Sequence, residues 1–149
     1  MSTDSDKGRI VVGIDGSPNA QAALSWAIDE ARLRGLGLRI IYAFPALVTY
    51  WGTTSSEYYP KEEAEARKMF EEALAKAPPT DDLDIERTLV PGNPAQVLIE
   101  ASHGASLVVV GAHGRGGFMG MLLGSVSMHV VTQAHSPVVV VRGEHQTGH

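Results

Sequence analysis

Apolar residues in this chain form short continuous runs that alternate with repeats of helical spacing. The first run, Ile10 to Ile14, is rich in β-branched residues and ends at Asp15 to Pro18. In that turn Ser17 suits a helix N-cap and Pro18 suits the first helical position. Apolar positions then recur every three or four residues up to Gly35, a residue typical of helix ends. The pattern predicts a strand followed directly by a capped helix.

The same order of run, turn and helical repeat continues along the chain. The further predicted strands are Leu38 to Phe44, Ile85 to Val90, Leu107 to Val110 and Val138 to Val141, and the further predicted helices are Lys61 to Lys76, Asn93-Pro94 through Ala101, and Val126 to Ala134. Between them, Pro45 to Pro60 is a long aromatic-containing loop that suits a lid, a partner surface or a piece of core. Only 1–8 and 143–149 are expected to be loose tails. We therefore expect one domain over 1–149 with an ordered core of about 9–142.

Five strands separated by four helices predict an α/β fold with one open, mostly parallel sheet and helices on both faces. The first, fourth and fifth strands are almost entirely apolar, as is typical of buried parallel strands. In such sheets ligands bind beyond the carboxyl ends of the strands, where the direction of winding reverses. If the first and fourth strands are neighbours, the turn at Asp15 and the loop after Val110 face each other across that crevice.

Composition excludes several classes of protein. A chain of 149 residues with 44% hydrophobic and 19% charged residues is typical of a globular domain. The net charge of -5 argues against a nucleic-acid surface, and no apolar run approaches the roughly 18 residues of a membrane span. The absence of cysteine excludes disulfides, thiolate zinc sites and cysteine nucleophiles. The polar segment Met1 to Lys7 lacks the apolar core of a signal peptide, so we expect a cytoplasmic protein.

A glycine-rich loop follows the fourth strand and carries the most informative chemistry. Gly111 and Gly114 would let ribose and phosphate lie against the main chain. Gly124 and Ser125 are predicted to begin the next helix, where unpaired N–H groups and the helix dipole favour an anion. The Ser125 hydroxyl would add a donor or a metal contact, and Ser127 would extend the same cradle. This order of strand, loop and helix predicts a nucleotide or phosphate site.

Further candidates for this site have structural alternatives. Asp15 would accept hydrogen bonds from ribose hydroxyls or help to hold Mg²⁺, but Asp15-Gly16 is also typical of a simple turn. His113 and Arg115 would counter phosphate charge, although His113 also suits a structural or solvent-facing position. Each glycine could equally serve turn geometry. The residues alone leave these alternatives open.

Familiar catalytic and binding patterns do not fit the chain. A P-loop needs a lysine before its Ser or Thr, whereas Gly124 is followed at once by Ser125. A dinucleotide GxGxxG fingerprint is missing after the first strand, and so is a GxSxG serine-hydrolase motif. No pair of carboxylates is placed for acid–base catalysis. His103, His129 and His135 lack the spacing of metal ligands.

The chain resembles the universal stress protein family over about Arg9 to Arg142. The residues that carry this resemblance are Gly111, Gly114, Gly124 and Ser125, which match the family's ATP-binding pattern Gly-x2-Gly-x9-Gly-[Ser/Thr]. The resemblance implies a Rossmann-like sheet of strand order 3-2-1-4-5 with ATP at the junction of strands one and four. It also implies a homodimer, formed through Val138 to Val141.

The resemblance also implies a set of ligand contacts. By this resemblance, Ala43 contacts adenine through its backbone, Val110 lines the ribose, and the start of the fourth helix holds the phosphates. The whole expected set is Gly13, Asp15, Ala43, Val110, Gly111, His113, Gly114, Arg115, Gly124, Ser125, Val126 and Ser127, with Mg²⁺ reaching Asp15 together with the nucleotide. The expected function is ATP-dependent sensing or regulation in a stress response, without enzymatic activity as its main role. The alternatives are a slow ATPase or a phosphoryl or nucleotidyl transferase, and a dimeric scaffold that binds cyclic AMP.

Overall fold

The computed structural model describes residues 8–44, 60–114 and 123–143. The elements in these ranges are β1 (Ile10–Gly13), α1 (Pro18–Arg34), β2 (Leu38–Phe44), α2 (Pro60–Ala75), β3 (Ile85–Pro91), α3 (Pro94–Ala101), β4 (Leu107–Gly111), α4 (Ser125–Gln133) and β5 (Val138–Val141). Each predicted strand and helix is present, and the bounds differ from the prediction by about one residue. Pro60 begins α2, and the rest of the predicted loop from Pro45 lies outside the described residues.

The strands form one parallel sheet in the order β3-β2-β1-β4-β5. β1 lies at the centre, where Ile10 is in register with Leu38 of β2 and with Leu107 of β4. The predicted α/β fold and strand order are therefore confirmed. Because the chain winds outward in one direction from β1 and in the other from β4, a crevice opens at the carboxyl ends of these two strands.

The helix caps follow the residues that the sequence supplies for them. Ser17 is the N-cap of α1, and its Oγ accepts a hydrogen bond from the Ala20 N–H at 3.2 Å. Asn93 caps α3 in the same way, with its Oδ1 2.9 Å from the Ala95 nitrogen. Gly35 ends α1 in the left-handed conformation, with φ of 68°. Each side-chain cap stabilises its helix by about 1 kcal/mol, so the starts of α1 and α3 are held by their own sequence.

Helices cover both faces of the sheet. On one face α1 and α2 pack against alternate residues of the strands, and the large members of this core are Ile10, Val12, Ile14, Leu24, Ile28, Leu38, Ile40, Phe70, Leu107 and Val109. On the other face α3 and α4 pack in the same way, and the members are Val11, Ile41, Ala95, Leu98, Ile99, Val108, Val110 and Val130. The helices of the described ranges include none that is long and apolar enough to cross a membrane.

Two details at the ends of the fold differ from what the apolar runs and polar tails alone indicate. The valines of β5 are only half-buried, because β5 is an edge strand with a neighbour on one side. Gly8 and Gly143 were expected in loose tails, yet both are bonded to the body of the fold. The Gly8 N–H donates to the Gly104 carbonyl at 3.0 Å, and the Gly143 N–H donates to Asn19 Oδ1. Residues 1–7 and 144–149 lie outside the described residues.

A surface ion pair ties α1 to the turn before β3. The Arg32 Nε and NH2 groups donate to the two carboxylate oxygens of Asp82 at 2.9 and 3.0 Å. The hydrogen bond from Arg32 lowers the pKa of Asp82 below its ordinary value. A depressed carboxylate pKa stabilises the fold above the unfolded value of about 3.9, and this contribution is lost as the pH falls through the folded pKa.

We therefore expect Asp82→Asn to lower the melting temperature slightly at about pH 7 and by less at about pH 2.5, because the carboxylate is increasingly protonated as the pH falls below about 3.9. The effect is small because the pair is exposed. Thermal unfolding at the two pH values measures it. Asp81→Asn is the matched control, because Asp81 is the neighbouring residue and makes no ion pair within the described part of the chain. A difference that persists unchanged at low pH would contradict this account of the pair.

Candidate functional site

The loop after β1 holds the carboxylate of Asp15 at the carboxyl end of the sheet. The Ile14 N–H donates to the Ile41 carbonyl at 2.9 Å, which extends the pairing of β1 with β2 up to the loop. Asp15 Oδ1 then accepts a hydrogen bond from the Ser17 N–H at 2.9 Å. Between them Gly16 has φ of 84°, in the left-handed region that favours glycine. The turn therefore positions Asp15 by its own backbone.

Three hydrogen bonds between described residues hold the base of the loop after β4. The Ala112 N–H donates to the Val141 carbonyl at 2.8 Å and extends the pairing of β4 with β5. The Gly124 N–H and the Ser127 hydroxyl both donate to the Ala112 carbonyl, at 2.7 and 2.8 Å. The start of α4 is thus fixed beside the end of β4. Arg115, an expected phosphate contact, lies outside the described residues.

The two loops meet at Gly114. A Cβ atom on this glycine would lie 2.7 Å from Asp15 Oδ2, so the carboxylate rests against the Gly114 backbone. The carboxyl ends of β1 and β4 therefore bring the Asp15 turn and the glycine loop face to face, as the topology predicts.

Gly111 has a different steric role. A Cβ atom here would lie 2.7 to 2.9 Å from backbone atoms of Asn19 and Ala20 in the first turn of α1. The close approach of this helix turn is enough to require glycine at position 111. Helix packing alone thus explains the glycine at position 111, without the expected approach of a ligand. Gly111 nevertheless borders the cavity described next.

A mostly apolar cavity lies between the two loops. It brings together most of the expected ligand contacts, namely Gly13, Asp15, Ala43, Val110, Gly111, His113, Gly114, Val126 and Ser127. Its volume is about 90 Å³. Because cavities that bury a drug-sized ligand measure about 300–1,000 Å³, this one would enclose only part of a nucleotide. The remainder of such a ligand would extend out of its open side.

Two expected contacts are placed beside the cavity rather than in its lining. Gly124 lies at the base of the loop, where its Cβ position would be 3.4 Å from the Cα atom of His113. Ser125 is the exposed first residue of α4. The Ser127 hydroxyl proton is engaged with the Ala112 carbonyl, so the backbone N–H of Ser127 is the donor left for a ligand.

Several residues of the lining were not predicted from the sequence. They are Ile14, Ser17, Ala20, Ile41, Pro94 and Leu98. Pro94 and Leu98 belong to α3, whose start was predicted correctly but was not assigned to the site. The available signal was the strand order, since a helix that leads from β3 to β4 must cross the sheet near β1. In the structure α3 does pack against β1 and β2.

The charges of the site suit an anion with hydroxyl groups. The N-cap of α4 is Gly124, which makes no side-chain capping hydrogen bond, whereas Ser17 and Asn93 cap α1 and α3. In the described chain the first N–H groups of α4 therefore face the cavity region without a side-chain acceptor, at the positive end of the helix dipole. Across from them Asp15 offers carboxylate oxygens, which bind hydroxyl donors or a cation.

His113 contributes an unpaired polar atom to the same lining. Its Nδ1 is buried and finds no hydrogen-bond partner among the described residues. Most buried polar atoms in folded proteins are paired, so an unpaired atom beside a cavity is a natural contact for a ligand.

The other histidines of the described ranges, His103, His129 and His135, do not line this cavity. The rings of His103 and His135 stack at a centroid distance of 3.8 Å just beyond the carboxyl ends of α3 and α4, a contact that sequence spacing did not indicate. Within the described ranges no group of three or more His, Cys, Asp or Glu side chains could hold a metal ion.

Comparison with known proteins agrees with this architecture. The model of the universal stress protein family matches residues 7–142. The chain belongs to the universal stress protein family. A universal stress protein of Mycolicibacterium smegmatis is 39% identical to it over 143 residues, which cover 89% of this chain and 45% of the relative. The chain thus spans about half the length of the curated relatives that it matches.

Solved structures of universal stress proteins share the fold. UspA of Lactobacillus plantarum superposes with a TM-score of 0.74 at 22% identity, covering 91% of this chain and 98% of that one. A universal stress protein in complex with cAMP superposes with a TM-score of 0.64 at 29% identity, covering 93% and 98%. The second of these proteins is bound to an adenine nucleotide, cAMP.

Proposed function

We propose that this universal stress protein binds ATP between the Asp15 turn and the start of α4, and that the bound nucleotide makes it a cytoplasmic sensor or regulator in a stress response. One observation carries the proposal. A helix N-terminus without a side-chain cap and a carboxylate face each other across an apolar cavity, at the reversal point of a parallel sheet. This arrangement supplies an anion site, a hydroxyl acceptor and an apolar wall for a base.

Each part of the nucleotide has a proposed place. Adenine lies against the backbone of Ala43 and the apolar lining from Ile41 and Leu98, and the ribose lies near Val110 and Asp15. The phosphates extend along the loop and the first turn of α4, and the contacts proposed for them are Gly114, Arg115, Gly124, Ser125, Val126 and Ser127. Mg²⁺ enters with the nucleotide and reaches Asp15, whose carboxylate has the oxygen chemistry that Mg²⁺ prefers.

Cyclic AMP is the second candidate ligand, because the relative that is 29% identical is in complex with it. ATP and cyclic AMP share the adenosine moiety and differ in their phosphates, so the start of α4 is the part of the site that would discriminate between them. Titration of ligand-free protein with each nucleotide by calorimetry tests the proposal. We expect both to bind the same site and ATP to bind more tightly. Failure of both to bind would overturn the proposed function.

We also propose that the protein forms a homodimer through β5, Val138–Val141. The support is the half-buried state of these valines at the edge of the sheet, next to an exposed apolar face of α4. On that face Met128 and Val131 expose 47% and 43% of their surface. An apolar edge strand of this kind favours pairing with a second copy. Analytical ultracentrifugation should show a dimer, and a monomer at high protein concentration would contradict the proposal.

A further inference from the structure

Asn19 lies in the first turn of α1 and is not part of the cavity lining. Its side chain is bonded to a distant part of the chain, since Asn19 Oδ1 accepts a hydrogen bond from the N–H of Gly143. Gly143 is the second residue after β5, so this bond joins the end of the last strand to the beginning of the first helix.

The ends of two strands pack against this same turn of α1. A Cβ atom on Gly143 would lie 2.8 Å from Asn19 Oδ1 and 3.4 Å from the Pro18 carbonyl oxygen. A Cβ atom on Gly111, at the end of β4, would lie 2.7 Å from the Asn19 carbonyl carbon. Both strand ends therefore pack closely against this turn, and the Asn19 side chain adds a hydrogen bond to one of them.

The turn that Asn19 anchors is also the turn that holds Asp15. Ser17 Oγ accepts from the Ala20 N–H, and the Ser17 N–H donates to Asp15 Oδ1. Pro18 stands between Ser17 and Asn19 and fixes one backbone dihedral angle of the turn. A short and continuous series of bonded contacts thus runs from Gly143 through Asn19 to the carboxylate at the site.

The geometry points to Asn19 as a positioning residue for the nucleotide site. By holding Gly143, Asn19 fixes the Asp15 turn relative to the ends of β4 and β5 without touching the ligand. The inference rests on the proposed function, because it takes Asp15 as a ligand contact. Loss of the bond leaves a partly buried N–H without its acceptor and lets the first turn of α1 shift, so part of the binding free energy is spent on ordering the turn again.

The test compares two amide side chains of the same helix. Gln21 lies two residues after Asn19, and its Nε2 donates to the Ala73 carbonyl of α2 at 2.9 Å, away from the site. Asn19→Ala should weaken ATP binding about 3- to 10-fold, the loss expected for one positioning hydrogen bond. Gln21→Ala should leave the affinity for ATP within about 2-fold of the parent, even if it lowers the melting temperature as much as Asn19→Ala does.

Gly143→Ala breaks the same contact from the other side and keeps the test independent of whether Asn19→Ala folds. Its added Cβ atom would collide with Asn19 Oδ1. We expect the same loss of affinity, and the double variant should lose no more than either single one, because both changes remove one interaction. Full additivity of the two changes, an Asn19→Ala protein that binds ATP like the parent, or an equal loss in Gln21→Ala would overturn the inference.

A measurement without ligand separates this inference from the proposed function. Hydrogen exchange of the Ser17 amide, which is bonded to Asp15 Oδ1, should be faster in Asn19→Ala than in the parent and unchanged in Gln21→Ala. If the parent binds no ATP while the Ser17 amide responds in this way, the proposed function falls and the positioning of the Asp15 turn by Asn19 stands. An unchanged Ser17 amide in Asn19→Ala overturns the inference, whatever the affinity.

Discussion

Gly114→Val is expected to weaken ATP binding on the order of 100-fold while the protein stays folded. The first atom of the new side chain would lie 2.7 Å from Asp15 Oδ2, so the carboxylate must leave its place. The backbone of Gly114 is not in the left-handed region, and a side chain there causes no backbone strain. Because the colliding group is a side-chain carboxylate in a surface loop, the fold can accommodate the valine. The binding site cannot, because it needs this carboxylate in its original position.

The effect of Gly114→Val through Asp15 can be isolated with a double-mutant cycle. In an Asp15→Ala background the carboxylate is absent, so the loss that Gly114→Val causes by displacing it should disappear. Whatever loss remains then measures direct obstruction of the phosphates by valine. Circular dichroism and thermal unfolding check that each variant is folded. Unchanged ATP affinity in Gly114→Val would show that the loop is not the binding site.

Gly111→Ala is expected to destabilise the fold by about 3 kcal/mol or more, at the upper end of the cost of overpacking. The added methyl group would lie 2.7 to 2.9 Å from backbone atoms of Asn19 and Ala20. Neither β4 in the centre of the core nor the first turn of α1 can move without disturbing its neighbours. For a chain of this length the melting temperature should fall by about 6–12 °C.

Gly124→Ala is the matched control for this stability prediction, because it changes another glycine of the same motif. Its added methyl group would lie 3.4 Å from the Ala112 carbonyl oxygen and from the His113 Cα atom, an ordinary contact distance. We expect its free energy of unfolding to stay within about 1 kcal/mol of the parent. If Gly111→Ala melted at the temperature of the parent, the close packing of β4 against α1 would be contradicted.

The two glycines show what a motif can and cannot reveal. Gly111 and Gly114 belong to one sequence pattern, yet the structure opposes Gly111 with helix backbone and Gly114 with a carboxylate. A sequence gives the spacing of such residues but not the group that lies opposite each of them. That group is set by the packing of α1, which begins almost a hundred residues earlier in the chain.

Local chemistry made most of the fold predictable. The caps at Ser17 and Asn93 and the left-handed Gly35 act within a few residues, so the sequence locates those helix ends directly. The half-buried state of β5 and the anchoring of Gly143 depend instead on which strand lies at the edge and what packs beside it. Those are tertiary properties, and a run of four valines is the same for an edge strand and a central one.

The loops of the candidate site could be predicted from the sequence, but several of its apolar wall residues could not. Asp15 and Gly114 carry chemistry that the sequence displays, and the parallel sheet brings them together. Leu98 lines the cavity as an ordinary apolar residue of α3, and nothing in its spacing distinguishes it from other core positions. Apolar walls of this kind are identified by geometry alone.

The proposed nucleotide site is tested most directly by a calorimetric titration of the ligand-free protein with ATP in the presence of Mg²⁺, run in parallel on the parent and Gly114→Val. We predict saturable binding of one ATP per chain to the parent and a loss of affinity on the order of 100-fold in the variant. Absence of binding to the parent, or equal binding by the two proteins, would contradict the claim that the crevice between Asp15 and the start of α4 is a nucleotide site.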